Sequence, residues 1–165
     1  MTVATTKSKT PPAIVQAVTN PKPPQRILII GGGYAGFYTA WKLEKLLGRN
    51  EAEVTMVDPL PYMTYQPFLP EVAAGSIEPR HVVVSHRQHL KKTKMVSGKL
   101  RKVNHKTRQA TIGVDGGKDV VIEYDQIVMT AGAVTRTFPI KGIAEEAIGL
   151  KTIQQAVEVS YLLLG

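Results

Sequence analysis

Cysteine is missing from all 165 residues. Its absence excludes disulfide staples, thiolate metal sites and cysteine-based nucleophilic or redox chemistry from the chain itself. Any redox work falls to a bound organic cofactor. Long apolar runs are missing too. Nothing approaches the roughly 18 consecutive apolar residues of a membrane span, and no charged segment followed by a long apolar core opens the chain, so a secretory signal is not expected. Acidic residues are absent from two stretches. Residues 1–25 have none and are rich in Thr, Lys and Pro, and they read as a disordered tail. Between Arg80 and Arg108 there are ten Lys or Arg and no Asp or Glu. Of the 21 basic residues, eleven are thus left against 13 acidic ones elsewhere. The formal charge of +8 is the property of one segment.

What is present is an ordinary globular composition, 43% hydrophobic, long enough for one sizeable core. Ile27, Leu28, Ile29 and Ile30 are consecutive, as in a strand covered on both faces, and Arg26–Ile30 is the first expected strand. Gly31 to Gly33 make a turn. Tyr34–Leu47 reads as a helix with Ala40, Leu43 and Leu47 on one face, stopped by Gly48. A second strand, Glu53–Val57, ends at Asp58 and Pro59. Pro59–Gly75 reads as a loop with four prolines, and Pro79–Leu90 as a short helix. Strand patterns return at Lys94–Asn104, Gln109–Val114 and Asp119–Glu123, the last two joined by a Gly116-Gly117 hairpin turn. Gln126–Thr130 is a further apolar strand before a loop bearing Gly and Pro. Thr152–Leu164 reads as a helix.

Gly31, Gly33 and Gly36 fit G-x-G-x-x-G between a strand and a helix. Gly31 permits the tight turn, Gly33 lets a pyrophosphate approach the backbone, and Gly36 lets the helix pack close to the strand. The N–H groups near Tyr34 and Ala35 lie at the helix N-terminus, where the macrodipole favours an anion. Asp58 ends the second strand at the spacing at which a carboxylate accepts hydrogen bonds from both ribose hydroxyls of an adenosine and disfavours a 2′-phosphate. The plainer alternative is a sharp turn with Asp58 capping a loop. The unit reads only an adenosine diphosphate half, so NAD and FAD both fit it.

The residues downstream bear on that choice. A simple NAD domain continues with alternating strands and helices, whereas this chain turns to several strands in a row. "YDQIVMTAGA", Tyr124 to Ala133, then supplies a second small-residue turn. Together "ILIIGGGYAGFYTAWKL", "VDP", "YDQIVMTAGA" and "GLKTIQQA" resemble flavoproteins of the pyridine nucleotide–disulfide oxidoreductase type. Within that group "YQPFLPEVAAG", residues 65–75, is similar to the flavin-side loop of type II NADH:quinone oxidoreductases.

The resemblance implies an α/β fold, a doubly wound Rossmann-type FAD-binding domain with an inserted β-meander, spanning residues 26–165 and incomplete because it stops before the NADH-binding domain. It implies FAD as resident cofactor, NADH as substrate and a quinone as acceptor. Carried over, Gly31, Gly33 and Gly36 with the amides of Tyr34 and Ala35 hold the pyrophosphate, and Asp58 holds the adenosine ribose. Gln66 and Pro67 run beside the isoalloxazine, Leu100 meets the adenine through its backbone, and Thr130, Ala131 and Gly132 form the second FAD turn. The implied place is cytoplasmic and peripheral on the inner face of the cell membrane; a homodimer is left open. A related FAD-dependent NAD(P)H oxidase or ferredoxin reductase-like enzyme, and a non-catalytic flavin-binding fragment, also remain open. No catalytic acid or base is identified.

Other constellations are weaker. His81, His86 and His89 match no recognised metal spacing and read as surface residues. Ser85 beside His86 is adjacency only. The basic stretch reads first as a solvated face and second as an aid to sitting on an anionic membrane. Nucleic-acid binding is not expected, because no aromatic residue interleaves the charges. Tyr62, Tyr65 and Phe68 read as packing residues, with Tyr65 also a candidate for the border of a quinone path.

Overall fold

The computed structural model describes residues 23–114 and 116–164. Most of the expected N-terminal tail lies outside them; Gln25, counted in that tail, already belongs to the first strand. β1 (Gln25–Ile30), α1 (Tyr34–Leu46) and β2 (Ala52–Asp58) form the βαβ unit. β5 (Lys94–Ser97) and β9 (Gln126–Met129) complete a four-stranded parallel sheet in the order β5-β2-β1-β9. β1 is central, with Val57 of β2 on one side of Ile30 and Met129 of β9 on the other. β6 (Lys99–Asn104), β7 (Gln109–Gly113) and β8 (Val120–Glu123) form a separate antiparallel meander. After Gly116 (φ +73°), the Gly117 N–H returns to the Val114 carbonyl at 3.2 Å, at the expected hairpin.

The consecutive apolar residues of β1 divide by strand alternation. Ile27 and Ile29 pack with Phe37 and Ala40 of α1 and with Met56. Leu28 and Ile30 pack on the opposite face with Ala110 and Ile112 of the meander and with Tyr124. Full burial of such a side chain contributes about 1.5–3 kcal/mol, so one strand anchors both layers. Asp125 fixes the other edge. Its carboxylate accepts from the Arg26 N–H at 2.8 Å and from the Arg26 guanidinium at 3.1 Å, and those bonds hold the carboxyl below its usual range.

Three expectations need correction. Pro59–Gly75 is not loop throughout: it holds β3 (Tyr62–Thr64), a 3₁₀ turn at Gln66–Phe68 and α2 (Leu69–Ala73). Pro67 and Pro70 are the second residues of their helical turns, where the N–H has no intrahelical partner to lose. Met63, Leu69 and Val72 are buried, and α2 packs on α5 (Ile153–Leu164) through Ala156. Pro79–Leu90 is not one helix but a 3₁₀ turn, then β4 (Val83–Ser85), antiparallel to β3, then the single turn α3 (His86–His89). Lys94–Asn104 is two strands in two sheets, β5 and β6. The chain changes sheet at Gly98, where a β-carbon would lie 2.7 Å from the Gly113 carbonyl oxygen. One further helical turn, α4 (Ile143–Glu146), lies in the loop after β9.

Candidate functional site at the two glycine turns

The site forms at the C-terminal ends of β1, β2 and β9. Gly31 takes φ +99°, a left-handed conformation open to glycine, and a β-carbon there would collide with the Thr130 carbonyl. Gly36 faces Gly31 across the turn, and its β-carbon would collide with the Gly31 carbonyl and lie 2.8 Å from the Thr130 hydroxyl. That hydroxyl sits 2.7 Å from the Ile30 carbonyl and 2.9 Å from the Gly31 carbonyl, while the Thr130 N–H donates to Ile30 at 2.8 Å. The first and second glycine turns, a hundred residues apart, are therefore in direct contact. Ala131 still belongs to this contact, its Cα 3.1 Å from where a Gly31 β-carbon would stand, and Gly132 (φ +71°) continues beyond it; both are exposed.

Gly33 differs from its neighbours. Its backbone is extended (φ −70°), it is exposed, and a β-carbon there would meet nothing within 4 Å. Among the described residues no acceptor takes the N–H of Gly33, Tyr34 or Ala35; the first bond of the helix runs from the Phe37 N–H to the Gly33 carbonyl at 2.8 Å. α1 carries no acidic residue in its first turn and no side-chain cap. Its positive end is thus open on the side where Gly33 leaves room, the arrangement that receives an anion. Tyr34 and Ala35 are exposed beside it.

Asp58 is already engaged. One carboxylate oxygen accepts from the Gly32 N–H at 2.5 Å and the other from the Leu60 N–H at 2.7 Å. It caps the turn, as the plainer reading had it, and each oxygen keeps a lone pair for further donors. Asp58 also lines a small cavity of about 60 Å³ with Pro61, His86, Arg87, Met95 and Ser97. Leu100 does not line it. Its side chain, half-buried, packs with the core under β1, opposite Ile112. Gln66 and Pro67 are exposed in the turn between β3 and α2; the Gln66 amide donates to the Lys151 carbonyl at 3.3 Å. Tyr65 lies 6.0 Å from the Tyr34 ring and 4.9 Å from Phe68, centroid to centroid, bringing this turn beside the start of α1. Desolvation, with a smaller push from Tyr65, raises the Tyr34 hydroxyl above its ordinary range.

His86 is the residue that sequence reasoning missed. It is not a surface residue: its exposure is 0%, and its ring stacks on Phe37 at 6.0 Å. Its Nε2–H donates to the Gly32 carbonyl at 2.8 Å, and its buried Nδ1 has no partner among the described residues. His81 and His89 are exposed. Among the described residues no group of three His, Asp or Glu is placed to hold a metal ion. The basic stretch is partly neutralised: Lys94 meets Glu53 at 2.9 Å and Arg80 meets Glu78 at 2.6 Å, both at the surface.

The sequence pattern of the pyridine nucleotide-disulphide oxidoreductase family matches residues 25–165. A type II NADH:quinone oxidoreductase of Staphylococcus aureus is 28% identical over 138 residues, covering 82% of this chain and 33% of the relative. The chain thus spans about a third of the length of the curated relatives it matches. In fold it is similar to the NDH2 of Plasmodium falciparum (TM-score 0.76, 24% identity, 83% of this chain and 28% of that one). It is likewise similar to the sulfide:quinone oxidoreductase of Aquifex aeolicus (TM-score 0.72, 24% identity, 85% of this chain and 32% of that one). With nearly the whole length beyond the first 24 residues matched, the chain belongs to the pyridine nucleotide-disulphide oxidoreductase family.

Proposed function

We propose that this chain is the FAD-binding portion of a flavin oxidoreductase that takes a hydride from NADH and passes electrons to a membrane quinone. The observation that carries the reading is the contact between the Gly31–Gly36 turn and Thr130–Ala131. It leaves the Gly33 side open beside the unpartnered N–H groups at the start of α1. An extended dinucleotide needs such a pair of close backbone approaches. The N–H groups of Gly33, Tyr34 and Ala35 hold the pyrophosphate with the help of the helix dipole. Asp58 accepts from the ribose hydroxyls with its remaining lone pairs. The backbone at Thr130, Ala131 and Gly132 borders the flavin half, and Gln66 and Pro67 border the ring system with Tyr34 and Tyr65 beside them. Leu100 offers its main chain to the adenine. When bound, the flavin supplies the hydride and electron chemistry; the protein supplies position, orientation and field.

The finer parts rest on the S. aureus relative, whose name carries both NADH and quinone. Tyr65 bordering the quinone path belongs to this proposal, as does a peripheral seat on the inner face of the cell membrane. Among the described residues no helix is long and apolar enough to cross a membrane. Exposed Lys99, Arg101, Lys102 and Lys106 on and beside β6 supply charge that suits an anionic lipid surface, at about 1 kcal/mol per well-placed residue.

The test is a titration of the purified protein with FAD, followed by the visible flavin bands and by quenching of flavin fluorescence. Saturable binding at one site is expected, with Gly33→Ala abolishing it. A protein that stays colourless at every FAD concentration overturns the reading.

A further inference from the structure

We propose that His86 is a positioning residue for the dinucleotide: it aims the Gly33 N–H at the pyrophosphate. The inference rests on the reading of the glycine turn as a dinucleotide site. A trans peptide holds its C=O and N–H antiparallel, and among the described residues no peptide bond is cis. The Gly32 carbonyl and the Gly33 N–H are the two ends of one such plane. His86 Nε2–H binds the carbonyl end from the protein interior at 2.8 Å. The Gly33 N–H must then point the opposite way, away from the buried ring; Gly33 is exposed, and among the described residues nothing accepts from its N–H.

The preceding plane is held differently. Its carbonyl, Gly31, lies 2.9 Å from the Thr130 hydroxyl, and its N–H, Gly32, donates to Asp58 at 2.5 Å. Both its ends are fixed by protein. The Gly32–Gly33 plane is fixed at one end alone, by His86, and its other end is left for a ligand. Without that bond this plane, flanked by two glycines, is the freest in the turn.

The ring itself cannot swing. It is fully buried and stacked on Phe37; its own N–H donates to Pro61 at 3.1 Å, and its carbonyl accepts from Leu90 at 2.7 Å. Among the described residues Nδ1 has no partner, so within them the ring's one hydrogen bond is that to Gly32. An orphaned buried acceptor destabilises a core, and an apolar side chain of the same size would avoid it. Filling space therefore does not account for a histidine here; gripping the carbonyl does. The same contact explains the middle glycine of the three. A β-carbon on Gly32 would lie 2.5 Å from His86 Cε1 and 2.9 Å from Nε2, so any side chain there displaces the ring.

The experiment compares His86→Gln, whose amide N–H₂ reaches the place of Nε2, with His86→Met, of similar length but without a donor. FAD is titrated into each apoprotein. His86→Met is expected to weaken binding by about tenfold, the scale of one lost hydrogen bond, with His86→Gln close to wild type. In ligand-free protein carrying ¹⁵N-glycine, the Gly33 amide signal is expected single and sharp in wild type and His86→Gln, and broadened or multiple in His86→Met. Equal FAD affinity in all three, or a His86→Gln as impaired as His86→Met, overturns the proposal. A long-range ¹H–¹⁵N spectrum of the wild-type histidines needs no variant: a proton on Nδ1 with Nε2 bare overturns it too. Should the wild type bind no FAD, the flavin reading falls, while the Gly33 signals and the histidine tautomer still decide what His86 does.

Discussion

A β-carbon at Gly33 would meet nothing within 4 Å among the described residues, and one at Gly36 would meet the Gly31 carbonyl and the Thr130 hydroxyl. Alanine at the two positions should therefore fail in opposite ways. Gly33→Ala is expected to melt within about 0.5 kcal/mol of wild type and to lose FAD binding, because the methyl group fills the ligand's place. Gly36→Ala is expected to lose about 1–3 kcal/mol by overpacking, read as a lower urea midpoint, whether or not FAD is present. A Gly33→Ala protein that binds FAD normally would show that the open side of the turn is not the ligand side. At this scale the tight turn at Gly31, the close packing at Gly36 and the place of Asp58 at the end of β2 were legible, because the spacing after an apolar strand carries a mechanism. His86 was not. Its meaning depends on a carbonyl 54 residues earlier, and a histidine in a basic stretch gives no local sign of burial. Leu100 left no side-chain sign of its proposed role: a contact made through the main chain is independent of the side chain, which packs in the core.

Between elements, Glu44 near the end of α1 caps the turn before β5. Its carboxylate accepts from the N–H groups of Lys91 (3.0 Å), Lys92 (2.8 Å) and Thr93 (2.7 Å), and from the Thr93 hydroxyl (2.7 Å). Partial burial pushes the Glu44 carboxyl up. The Thr93 hydroxyl and the three N–H groups outweigh that push and leave it below its ordinary range. A depressed carboxylate stabilises the fold above its unfolded value, about 4.3 for Glu, and the contribution is lost as pH falls through the lower folded value. Glu44→Gln is expected to cost about 1–2 kcal/mol near neutrality. Its melting temperature should converge on that of wild type between about pH 4 and pH 2; a gap constant across that range would contradict the capping role. The element boundaries show where sequence reading gives out. Helices and strands of the βαβ unit were clear from their periods. Pro67 and Pro70 looked like breakers, yet they sit in the first turn of helical elements, because proline near a helix start and proline in a loop look alike until tertiary packing chooses. The passage from β5 to β6 read as one strand, since both halves have strand composition and only Gly98 marks the change of sheet.

For the molecule as a whole, one short strand serves two cores and one site. The family and the α/β architecture with its meander were legible, because the glycine turn, the aspartate and the "TAG" segment occur in order and at workable distances. How they meet was legible only in part, since the pairing of β9 with β1 is set by everything folded between them. The chain spans about a third of the relatives it matches. It is therefore expected to bind FAD yet to give no sustained NADH oxidation with a soluble quinone, measured at NADH absorbance under steady state. Turnover at a rate typical of flavin reductases would show that these residues are catalytically sufficient.

The neighbour that Ile27 to Ile30 require on one side begins at Gln126. During synthesis the first glycine turn leaves the ribosome long before Thr130, and until then its carbonyls lack their hydroxyl partner. On the proposed reading the nascent segment passes that interval without a finished binding place, and loading of cofactor is expected to follow translation of Thr130. Truncations ending before β9 should accordingly stay empty however well their first three elements fold.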